Sequence, residues 1–142
     1  MDFFEISLRA CVDENELVDA ISSFFGVANS SIVSAEKFWN NPTAFKVGLA
    51  VKYNKTGFRT LVVVYHFGLV TEVNQRSFSR NIRDRFNTDV VIGDLEKGSP
   101  IIGDGLTLFS RNGIEKSVRS AANVDYFEIE GPDMGSDPRL SD

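Results

Sequence analysis

Residues 59–70 read RTLVVVYHFGLV, and no other stretch constrains the fold as much. Eight of the twelve are Val, Leu, Tyr or Phe, and none is Pro. From Leu61 to Phe67 apolar side chains fall at both parities, broken only by His66. Successive strand side chains point to opposite faces, so this pattern predicts a strand covered on both sides in the middle of a sheet. The remaining chain is expected to pack around it.

Upstream, residues 3–12 alternate, with Phe4, Ile6, Leu8 and Ala10 on the apolar side of a first strand. Asp13 lies three residues before Glu16, the spacing of a reciprocal helix cap. Leu17, Val18, Ile21, Phe24 and Phe25 then form one apolar helical stripe, which Gly26 ends. Residues 31–38 read as a second strand, closed by the loop or bulge signal Trp39-Asn40-Asn41-Pro42. Residues 43–53 alternate with Phe45, Val47, Leu49, Val51 and Tyr53 on one side. The turn Asn54-Lys55-Thr56-Gly57 folds this strand antiparallel onto the central one.

Downstream, Phe78, Ile82 and Phe86 recur every four residues and predict a second helix over 72–87, with Arg76, Arg80 and Arg83 on its opposite side. Residues 88–92 make a short strand. Three glycine-containing breaks between Gly93 and Gly105 leave room only for short extended pieces at 100–102 and 106–109. After the turn signal Asn112-Gly113, the spacing of Ile114, Val118 and Ala121 or Ala122 predicts a short helix, and residues 124–130 a closing strand.

Long runs of adjacent strands point to an α+β fold, a mainly antiparallel sheet with two main helices packed on one face. The expected topology is ferredoxin-like βαββαβ with an added hairpin. The 142 residues fit a single domain over 1–130, followed by a disordered acidic tail over 131–142 in which Pro and Gly outnumber apolar side chains.

A net charge of −5 and a pI near 4.9 disfavour nucleic acid and anionic membrane as partners, because both attract excess Lys and Arg. No stretch reaches the roughly 20 apolar residues that span a bilayer, and residues 1–11 lack the basic and apolar regions of an export signal. With Cys11 the only cysteine, no disulfide forms within the chain, and a cytoplasmic location is expected.

Groups able to do chemistry are few. His66 is the only histidine, so no histidine-rich metal cluster can form, and its place in the central strand reads as a hydrogen-bonded sheet residue. A nucleophilic Ser or Cys11 would need His66 as its base. No G-x-S-x-G stands between a strand and a helix, and Cys11 beside Ala10 reads as a half-buried structural thiol. The glycines at 93, 98, 103 and 105 lack the Gly-Lys-Ser/Thr ending of a phosphate loop and read as turns. Asp94, Glu96 and Asp104, like Asp125, Glu128 and Glu130, have no spacing that selects a metal. No cofactor is expected. Glu72, Asp84 and Asp89 lie close enough in sequence to neutralise part of the arginine stripe, which reads as a paired helix face.

Residues 120–138 contain five acids and no Lys or Arg. Asp125, Glu128 and Glu130 beside Tyr126 form an acidic ridge with an aromatic anchor, and Trp39 in its polar surroundings is a second anchor. The expectation is a non-enzymatic inhibitor of the immunity type, which neutralises a basic protein partner such as a nuclease toxin domain by direct binding. Two alternatives are a small enzyme with a site near His66 and the loops between Gly93 and Gly105, and an RNA-associated regulatory module using Arg76, Arg80 and Arg83.

Overall fold

The computed structural model describes residues 1–93, 106–120 and 129–130. Among the described residues eight strands lie in the order β2-β3-β4-β1-β5-β6-β7-β8, formed by β1 (Asp2–Leu8), β2 (Ile32–Ser34), β3 (Val47–Tyr53), β4 (Thr60–His66), β5 (Val90–Gly93), β6 (Leu106–Phe109), β7 (Glu115–Ser120) and β8 (Ile129–Glu130). The described residues also form three α-helices: α1 (Glu14–Phe25), α2 (Ala35–Asn40) and α3 (Glu72–Phe86). Within this order β1, α1, β3, β4, α3 and β5 are the ferredoxin-like βαββαβ core. Its strands stand β3-β4-β1-β5 with every neighbour antiparallel. The β2–α2 segment is inserted between α1 and β3, with β2 parallel to β3, and β6–β7 is the added hairpin.

The two main helices pack on one face of the sheet. Phe4, Ile6, Leu8, Val47, Leu49, Val62, Val64, Val90 and Ile92 project there against Leu17, Ile21, Phe78 and Ile82. Helix α1 ends at Gly26 in the left-handed conformation, and Asp13 occupies its N-cap without a side-chain hydrogen bond. Helix α3 is capped at both ends. Thr71 and Asn74 satisfy each other's backbone amides at its start, and left-handed Asn87 ends it.

Several expected boundaries are corrected. β1 stops at Leu8 instead of running to Val12, because residues 9–12 leave the ladder and take side-chain and loop partners. The predicted strand over 31–38 is a strand only at Ile32–Ser34. The Ser34 side chain then accepts from the Lys37 amide and starts α2, which takes in Phe38, Trp39 and Asn40. β3 begins at Val47, four residues later than expected, after a turn in which the Ala44 amide donates to the Asn41 carbonyl. β5 starts at Val90 instead of Thr88. The predicted helix after Asn112-Gly113 is strand β7, in register with β6. Ile114 and Val118 are an even number of positions apart, so their spacing suits a strand's period of two as well as a helix turn. The turn decides, with Gly113 at φ +95° and the Ser110 amide donating to the Ile114 carbonyl.

The central stretch forms β4, an internal strand as expected, but its two faces differ. Thr60, Val62, Val64 and His66 are buried under the main helices, whereas Leu61, Val63 and Tyr65 are only half-buried. Among the described residues no helix is long and apolar enough to cross a membrane.

Candidate docking surface

The register of β3, β4 and β1 fixes three rows on the sheet's second face: Gly48–Tyr65–Phe3, Ala50–Val63–Glu5 and Lys52–Leu61–Ser7. Gly48 lets α2 sit directly on the first row. A Cβ built there would lie 2.6 Å from the Phe38 Cβ, so the fully buried Phe38 occupies the space that any other residue would need. With Phe38 anchored, the next residue of the helix, Trp39, faces outward and remains 51% exposed. Its ring meets Tyr65 edge-on at 5.1 Å. Tyr65 is also 6.4 Å from Phe3, which is 63% exposed, and Phe67, 57% exposed, lies 5.8 Å from Phe38. The result is a contiguous aromatic surface at one end of the sheet.

On the other side of the second face, Phe58 is fully buried and closes over Val91, Leu106 and Leu108. Between Phe58 and α2 none of the described residues covers the sheet. A shallow depression of about 220 Å³ there is lined by Glu5, Ser7, Ala50, Lys52, Leu61 and Val63. Apolar floor, exposed aromatic rings and a few charges at the margin are the composition of a protein-docking surface.

A buried polar cluster lies beside this surface. The Arg9 guanidinium lies over the Phe58 ring at 4.5 Å and donates from Nε to Asp89 Oδ2 at 3.2 Å, with both side chains almost wholly buried. Asp89 Oδ1 accepts from the Arg111 amide at 2.9 Å. Thr88 Oγ1 accepts from the Ala10 amide at 2.8 Å, and Thr60 Oγ1 accepts from the Val12 amide while donating to the Ala10 carbonyl. The Tyr53 hydroxyl closes the set by donating to the Val12 carbonyl at 2.8 Å. These bonds supply the partners that residues 9–12 lose on leaving the sheet.

The residues singled out from the sequence are dispersed. His66 is 1% exposed, and its Nδ1 accepts from the amides of Leu69 and Val70 at 3.1 and 3.4 Å. Burial lowers its pKa, opposed by the nearby Asp2 carboxylate. It is the hydrogen-bonded sheet residue expected. Cys11 is exposed, not half-buried, because β1 ends before it. Arg80 forms a bidentate pair with Glu115 at 2.7 and 2.9 Å, and Arg83 donates to Asp84 at 2.9 Å with Glu115 at 3.6 Å. Glu115 is held below the usual carboxylate range by the hydrogen bonds from Arg80. Arg80 and Arg83 of the stripe are therefore internally paired, with Glu115 from the added hairpin as the chief partner, and Asp89 belongs to Arg9 instead. Among the described residues no three His, Cys, Asp or Glu side chains gather as a metal site would require.

Of the expected partner-binding residues, Trp39 belongs to the aromatic surface. Asp125, Tyr126 and Glu128 lie outside the described residues, as do residues 94–105 and the tail over 131–142. The backbone of Glu130 pairs with Arg119 at the end of β8, five strands from the Tyr65 that Trp39 touches. Trp39 and Glu130 are thus on separate parts of the sheet. Sequence reading missed Phe3 and Tyr65 as surface residues. The available signal was Phe3 itself, a large apolar side chain leading the polar parity of β1. Sequence reading took Asp13 and Glu16 only as a reciprocal helix cap, whereas Asp13 makes no side-chain cap bond and, with Glu14 and Glu16, is an exposed carboxylate at the start of α1. The Tyr53 pKa is raised by burial and then by the negative potential of Cys11, Asp13 and Glu14. Comparison with protein-family models, curated proteins and solved structures gave no match to this chain.

Proposed function

We propose that this protein is a non-enzymatic binding protein of the immunity type, which acts in the cytoplasm by occluding a basic protein partner such as a nuclease toxin domain. The observation that carries the proposal is the exposed aromatic surface of Trp39, Tyr65 and Phe3, mounted on an internal part of the sheet and continuous with an open apolar depression. Large rings displace much water at little conformational cost, and anchors of this kind supply most of the energy in protein interfaces. The net charge of −5, with carboxylates at the start of α1 and five acids over 120–138, steers a basic partner toward the molecule. Lys55 and Arg59 lie at the same end of the sheet as the α1 carboxylates and moderate the potential there.

The other readings have less support. As a base, His66 already uses Nδ1 to accept from two amides, and Arg80 and Arg83 already carry Glu115 and Asp84 as carboxylate partners that compete with a phosphate.

The experiment is co-expression with basic toxin domains, followed by stoichiometric co-purification and neutralisation assays. A bound, inactivated toxin supports the proposal when Trp39→Ala weakens the complex without lowering thermal stability appreciably. A complex formed equally well by the Trp39→Ala protein would remove the aromatic surface from the interface.

A further inference from the structure

We draw no further inference here: the strongest candidate outside the surface already described, the exposed carboxylates Asp13, Glu14 and Glu16 at the start of α1 near Tyr53 and Cys11, is an acidic cluster with no second observation that points to a ligand.

Discussion

The two faces of the sheet share the same strands but are closed in different ways. On one, α1 and α3 lay a continuous apolar layer, and Phe78 stands among Phe4, Phe24 and Phe25 at centroid distances of 5.0 to 6.2 Å. On the other, a six-residue helix covers one end, Phe58 covers a patch beyond β1, and among the described residues nothing covers the rows between. The first face carries the main buried core; among the described residues the second leaves the large apolar side chains Phe3, Trp39 and Phe67 more than half exposed. The comparison teaches that a strand apolar at both parities need not be equally covered on its two faces: Val62 and Val64 are buried, whereas Leu61 and Val63 are half-buried among the described residues.

Substitutions can break or sharpen this contrast. The largest effect is expected on the closed face, where Phe78→Ala should cost about 3–5 kcal/mol in urea denaturation, because the cavity cannot collapse among packed rings. A loss as small as that of a surface change would show the closed face to be loosely packed. On the second face, Gly48→Ala should cost about 1–3 kcal/mol by driving a methyl group into Phe38 and lifting α2. Unchanged stability would mean that α2 is not seated on the strand.

His66 gives a pH test at the boundary of the closed face. Its folded pKa lies below its unfolded value near 6.5, so the unfolded chain takes up a proton more readily. Stability should be at its full value above about pH 7 and should fall as the pH drops below about 6.5, a slope that His66→Leu would remove. The smallest effect belongs to the exposed pair between α3 and the added hairpin. Arg80→Ala should cost only about 0.2–1 kcal/mol in denaturant at neutral pH. Because the Glu115 pKa is depressed in the folded protein, this contribution should vanish as pH falls through the carboxylate range.

How much of this was legible in the sequence follows from how far each signal is local. The α3 stripe of Phe78 and Ile82 and the turns at Gly57 and Gly113 carry their own geometry, and they were read correctly. Helix α2 was missed because a six-residue helix shows less than two turns of periodicity, and its start depends on one cap by Ser34. Residues 9–12 were read as strand because their alternation continues; only partners remote in sequence, Thr60 and Thr88, draw them away. The open face was the hardest to foresee. Leu61, Val63 and Tyr65 look like core residues in a row of apolar letters, and only the placement of α2 and Phe58 shows that neither covers them fully. Trp39 was singled out, but its contact with Tyr65 depends on the close approach at Gly48, which no spacing rule encodes.

Trp39 is the only tryptophan, so intrinsic fluorescence reports on the proposed surface alone. The most direct measurement is a titration of the full chain with a basic toxin domain retained in the proposed co-purification, followed by tryptophan emission with a partner variant lacking Trp. The account predicts emission typical of a water-exposed indole in the free protein and a blue shift that saturates at one equivalent. It also predicts a dissociation constant at least about 30-fold weaker for Trp39→Ala, equivalent to the roughly 2 kcal/mol of an interface hot spot. A saturating complex that leaves the emission unmoved and the Trp39→Ala affinity unchanged would contradict it.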